Sequence, residues 1–166
     1  MTDESSTAER LVLRRRAERL RLAERTDTAD EGTVAIASFH VGEDQFAIEL
    51  ARMRAVVPLR LVTPVPLARP HVIGVLKFDG RIVTAHSLAA RLGVRGWRHD
   101  PEILIVVELP NGELAALDCE EVPTADALPA KRLAEARARS ADAWLEVEGM
   151  NGKIVNVVDV ARLFCG

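Results

Sequence analysis

Apolar positions along the chain come in short runs of strand length, each ended by a turn signal. The clearest stretch runs from Thr63 to Leu92, TPVPLARPHVIGVLKFDGRIVTAHSLAARL. Pro64, Pro66 and Pro70 stiffen an extended lead-in that neither continues a helix nor fits a central strand. Val72 to Phe78 is an apolar run of strand type, and Arg81 to His86 is the returning strand. Asp79-Gly80 between them is a hairpin dipeptide, because glycine takes positive φ without steric cost. Ser87 predicts an N-cap for a short helix, SLAARLG, closed by Gly93. The phrase recurs as MNGKIVNVVDVARLF from Met150 to Phe164, with Asn151-Gly152 for Asp79-Gly80, Ile154-Val155 for Ile82-Val83 and Asp159 for Ser87, an offset of 72 residues without a gap. A hairpin followed by a capped helix, written twice, predicts two related small β units.

The remaining pattern agrees. In VAIASFHV, Val34, Ile36, Ser38 and His40 alternate with Ala35, Ala37, Phe39 and Val41, and both rows are largely apolar. That is the signature of a strand buried on both faces or of a small barrel. Phe46 and Ile48 share a face of the next strand, after a turn at Gly42-Glu43-Asp44. ARMRAVVPLR, Ala51 to Arg60, starts as a helical turn and becomes extended before Pro58. EILIVVEL and GELAALDCEEV are two strands joined at Pro110-Asn111-Gly112, and RGWRHDPE before them is a polar loop carrying Trp97. Pro123 to Leu128 reads as irregular. PAKRLAEARA is a helix candidate with a weak apolar face, and Trp144 and Val147 open the last hairpin. About eight to ten short strands with frequent turns predict an all-β sandwich or barrel with short helices. Only Glu9 to Arg25 has helical periodicity at length: Leu13, Ala17 and Leu20 make a narrow stripe among arginines, the pattern of an amphipathic helix. The polar segment Thr26 to Gly32 separates it from the body, giving residues 1–32 as helix and linker and 33–166 as the folded domain.

Composition narrows the function. A net charge of −3 and a pI near 5.8 argue against nucleic acid as the main partner, and a chain without tyrosine, with four Phe and two Trp, is a poor stacking platform. Cys119 and Cys165 are far apart and have no CxxC spacing, so they read as core or chain-end thiols. His40, His71, His86 and His99 have no ligand spacing, no G-x-S-x-G elbow is present, and no phosphate-binding glycine motif occurs. No catalytic residue, cofactor site or metal site is predicted. No apolar run approaches the length of a membrane span, and no signal-peptide core is visible. The chain reads as cytoplasmic, without membrane insertion.

The order of these elements, with PVPLARPHVIGVLKFDGRIVTAHSLAARLG at the centre, resembles the CheW family of chemotaxis adaptors. Pro66, Pro70, Gly74, Val75, Gly80, Ile82, Val83 and Leu88 fall in the family's slots, and KIVNVVDVARLF fits its closing phrase. The likeness covers about Val34 to Phe164. It implies two interlocked five-stranded SH3-like barrels sharing a core. It also implies a non-catalytic adaptor that couples a CheA-type histidine kinase, through the kinase's regulatory domain, to methyl-accepting chemoreceptors. Lys77 and Asp79 stand where the family has Asn and Arg, Ala55 where it has an acidic residue, and Thr84 and Ser87 where it has Pro and Asp. The expected contact surface lies beside the first hairpin, with Val57 and Phe78 as apolar anchors, Met53 and Val56 nearby, and Asp79 and Arg81 as polar rim. Val57 and Phe78 read equally well as core. A small ligand-binding or catalytic barrel is the competing class; it would need a polar pocket with perturbed ionisable groups.

The polar linker predicts that few core contacts cross residues 26–32. A chain lacking residues 1–30 is expected to keep a single cooperative melting transition beside that of the full chain; loss of the transition would place the N-terminal helix in the core.

Overall fold

The computed structural model describes residues 32–94 and 100–165. The helix expected over residues 9–25, most of its linker, Trp97 and His99 lie outside them. Ten strands are present: β1 (Thr33–Val41), β2 (Asp44–Glu49), β3 (Met53–Pro58), β4 (Val72–Phe78), β5 (Arg81–His86), β6 (Ile103–Glu108), β7 (Leu114–Cys119), β8 (Thr124–Pro129), β9 (Trp144–Glu148) and β10 (Ile154–Val158). Among the described residues three α-helices accompany them: α1 (Leu88–Leu92), α2 (Ala130–Arg139) and α3 (Val160–Phe164). The strands form two five-stranded sheets, β8-β1-β2-β10-β9 and β3-β6-β7-β5-β4. Each contains one parallel pair, β2 with β10 and β5 with β7.

The two sheets are the same unit wired differently. β3 corresponds to β8, β4-β5 to β9-β10, and β6-β7 to β1-β2. The second sheet is contiguous in sequence. The first takes one hairpin from residues 33–49 and the rest from 124–158, so the second unit is inserted into it.

Alternation along the strands then builds three cores. Ala37, Phe39 and Val41 of β1 point into a core shared by both sheets, while Ile36 points into the first barrel. Ile105 and Val107 of β6 join the shared core, and Leu104 and Val106 line the second barrel. The shared core holds 18 buried residues against nine in each barrel interior. Each buried Val, Leu, Ile or Phe is worth roughly 1.5–3 kcal/mol, so the two barrels stand together as one domain.

The repeated helices both cap this core. Ser87 accepts a hydrogen bond from the Ala90 N–H (3.4 Å), and α1 ends at Gly93 with φ 71°. Asp159 accepts from the Arg162 N–H (3.2 Å) at the start of α3. Leu88, Ala89, Val160 and Leu163 are their buried contributions. The two hairpin turns, however, differ. Asp79 and Gly80 both have positive φ (51° and 74°), a two-residue turn. In the second hairpin the Gly149 N–H donates to Lys153 O (2.8 Å) and only Gly152 is left-handed (φ 77°), a three-residue turn with a glycine bulge. Pro110-Asn111-Gly112 makes the same three-residue turn. The extra residue shifts the correspondence at the turn, so Lys77 matches Glu148 before it and Ile82 matches Ile154 after it, and the gapless offset of 72 holds from the turn onward.

A second difference concerns residues 123–128, expected to be irregular. They form most of β8, pairing antiparallel with β1 from Thr33↔Pro129 to Ser38↔Thr124. β8 is an edge strand in which only Leu128 is buried, so it shows no apolar alternation to betray it, and its terminal Pro is tolerated at an edge.

The barrels are closed by different devices. In the second, Thr63 pairs with Val75 through two backbone hydrogen bonds, 2.8 and 2.9 Å. Gly74 lies directly beneath: a Cβ there would sit 2.7 Å from Val62 Cγ1 and 2.8 Å from the Thr63 carbonyl carbon. In the first, α2 lies across the opening and buries Leu133 and Ala136. Gly74→Ala is therefore expected to destabilise the fold by about 1–3 kcal/mol through overpacking, read as a lower urea midpoint. Gly80→Ala meets no neighbour within 4 Å and is expected to cost less, through its left-handed φ alone.

Candidate functional site

The six residues expected at the contact surface divide into three groups. Met53 and Val56 are buried in the shared core, and Val57 and Phe78 line the interior of the second barrel. Val57 is 1% exposed and Phe78 7%, so neither faces solvent. Asp79 and Arg81 are exposed. Arg81 Nη1 donates to Gly112 O (3.2 Å), pinning the β4–β5 turn beside the β6–β7 turn. Ala55 also faces the second barrel, at 3% exposure, past a bulge between Met53 and Ala55. On the opposite face of β3, Arg54 pairs closely with Glu108. A carboxylate placed at residue 55 would thus be buried, and the acidic partner expected at that position has no exposed counterpart here.

What the hairpins do present is apolar. Ile82, opposite Lys77 in the β4–β5 register, is 72% exposed. Its counterpart Ile154, opposite Glu148, is 55% exposed, and Met150 in the adjoining turn 69%. Ile82 and Val83 are both apolar, so strand alternation implies that one of them faces out but not which.

A second cluster joins residues that lie apart in sequence. The His71 and His86 rings stack 5.7 Å apart at an interplanar angle of 11°, and His86 meets Phe164 edge-on at 5.0 Å. The Arg91 guanidinium lies 4.8 Å from the Phe164 ring centroid, donates to Leu163 O (3.1 Å) and reaches His86 Nδ1 (3.3 Å). Burial, the Arg91 charge and His71 together pull the His86 pKa down to about 4. His71 is lowered in the same direction by burial, Arg91 and Arg69.

Elsewhere the chemistry is structural. Burial pushes the Cys119 thiol up to about 12, and its Sγ donates to Glu121 O (3.0 Å), so it is no nucleophile at neutral pH. Arg137 bridges Glu49 and Asp159, and Arg162 reaches Asp159, Ser140 O and Arg137 O, which ties α2 to β2 and α3. A cleft of about 420 Å³ between the end of α2 and β9 is lined by Arg139, Ser140, Asp142, Trp144 and Glu146. Among the described residues no three His, Cys, Asp or Glu side chains group as metal ligands, and no helix is long and apolar enough to cross a membrane.

Two five-stranded barrels, one inserted into the other, joined by a core larger than either interior and bearing apolar hairpins outside, define a paired-barrel protein. The chain belongs to the CheW family: the CheW-like domain model matches residues 35–165. Among solved structures it is similar to the scaffolding protein TtCheW from Thermoanaerobacter tengcongensis, with a TM-score of 0.63 at 18% identity, covering 82% of this chain and 91% of that one. That likeness shows the fold. A comparison with curated proteins gives no significant match. The family is one of chemotaxis coupling scaffolds.

Folding lowers the His86 pKa, so the unfolded chain takes up the proton more readily. The stability this gives is complete above the ordinary histidine value of 6.5 and is lost as the pH falls from there toward about 4. Urea midpoints are expected to decline between pH 7 and pH 5, and His86→Phe, which keeps a ring against Phe164, is expected to flatten that slope. An unchanged slope would show that His86 does not carry the dependence.

Proposed function

We propose that this chain is a non-catalytic cytoplasmic adaptor that couples a CheA-type histidine kinase, through the kinase's regulatory domain, to methyl-accepting chemoreceptors. The family match across residues 35–165 carries this reading. The exposed Ile82 and Ile154 support it, because they stand at equivalent places on the two hairpins and give each barrel an apolar outer contact. Interfaces are anchored by such residues inside a polar rim, here Lys77, Asp79 and Arg81 on one barrel and Glu148 on the other.

We place kinase binding above receptor binding in strength. Asp79 stands at an exposed turn where the family carries a positive charge. If that positive charge meets an acidic receptor surface, its reversal costs on the order of several kcal/mol at the interface. The apolar hairpin faces do not depend on it. Titration of the protein with a kinase regulatory domain and with a receptor tip tests both statements. Ile82→Ser is expected to weaken the kinase complex at least about tenfold, and Asp79→Arg to strengthen the receptor complex while leaving the kinase complex unchanged. Absence of binding to any kinase regulatory domain would remove the adaptor reading. Receptor binding indifferent to Asp79→Arg would remove the preference alone.

A further inference from the structure

Among the described residues, the cluster at His71, His86 and Arg91 holds a guanidinium and two imidazoles and no carboxylate. Four segments build it: the proline-rich lead-in to β4 supplies Arg69 and His71, the end of β5 supplies His86, α1 supplies Arg91, and α3 supplies the Phe164 ring. Its frame is rigid. The Ser87 N–H donates to His71 O (2.8 Å), which locks the lead-in to the end of β5, and Leu163 O fixes the guanidinium. The charges acting on His71, His86 and Arg91 are those of one another and of Arg69.

The neighbouring charged groups are committed elsewhere. On β7, alongside β5, the buried Asp118 carboxylate accepts from the Leu88 N–H (2.8 Å). On α3, Arg162 is held by Asp159 and by two backbone carbonyls. Arg91 Nε is buried with no hydrogen-bond acceptor, a cost that native structures rarely leave without a reason. Arg91 Nη2 donates to His86 Nδ1, so the neutral ring of His86 carries its proton on Nε2, as a donor. Arg91 Nε is thus left without an acceptor beside the two imidazoles, and the Arg69 charge acts on the same cluster.

We propose that His71, His86 and Arg91, with Arg69 at the rim, form a binding site for a carboxylate, presented either by an acidic side chain of a docked protein or by a small free acid. A carboxylate accepts from several donors at once and relieves the mutual repulsion of the two arginines. It also favours the protonated form of each imidazole, so binding and proton uptake are linked. The site does not depend on the adaptor reading, because it is defined within the isolated chain.

The test uses the full chain alone, in sodium succinate, in a glutamate-rich peptide and in sodium chloride of matched ionic strength. The readout is the ring NMR titration of each histidine together with the melting temperature near pH 6. Succinate or the peptide is expected to raise the apparent pKa of His71 and His86 by about one unit and to raise the melting temperature. A response to succinate identifies a free-acid site, and a response confined to the peptide identifies a protein-borne carboxylate. Arg69→Ala, at an exposed position, is expected to reduce the shift without affecting folding, and Arg91→Lys, which keeps the charge, to reduce it further. Titrations that coincide in all three media overturn the site, as does a shift that survives both substitutions.

Discussion

Four strands, β1, β2, β6 and β7, have no solvent face along their middles. Each spends one row of side chains on its own barrel and the other on the core between the barrels, and the rest of the structure follows from that double burial. A strand buried on both sides must be apolar in both rows, which VAIASF, ILIVV and LAALDC supply. It also makes the barrels inseparable, since pulling them apart would expose Phe39, Phe46, Ile48, Ile105 and Leu117 together. The two buried carboxylates accept from helix starts: Asp118 receives the Leu88 N–H and Asp159 the Arg162 N–H. Burial of these carboxylates is tolerable because backbone donors face them.

Insertion of one barrel into the other breaks the equivalence of the two units. The chain leaves β3 into a proline-rich segment whose Thr63 closes the second barrel against Val75. It leaves β8 into α2, which closes the first barrel with Leu133 and Ala136 and is held by Arg137 on Glu49 and Asp159. The repeated hairpins therefore share an exposed isoleucine but differ in what surrounds it: Lys77, Asp79 and Arg81 beside Ile82, Glu148 and Met150 beside Ile154.

The repeats also touch. Arg91 donates to the carbonyl of Leu163, a residue 72 positions away and hence its own counterpart in the second repeat. Around that contact the two imidazoles and Phe164 assemble. The cluster belongs to neither barrel alone, and its electrostatics are set by burial and by the charges of Arg91 and Arg69.

The sequence by itself determined the strands with full alternation, the hairpin dipeptides, the caps at Ser87 and Asp159, the duplication and the family. All of these are local: each depends on the spacing of apolar residues or on the φ freedom and hydrogen-bonding capacity of one or two residues. It also showed that Val57 and Phe78 are apolar strand residues, but not whether an apolar row meets a barrel interior or a partner, because apolar spacing is the same in both cases. Only the tertiary structure decided that Val57, Phe78 and Ala55 face a barrel interior while Ile82 faces solvent. Only it made a strand of residues 124–129, whose pairing with β1 supplies hydrogen bonds that no apolar pattern announces. The meeting of His71, His86, Arg91 and Phe164 was likewise invisible, since it depends on where two helices from distant repeats come to rest, and such proximity is fixed by packing across the shared core rather than by spacing along the chain.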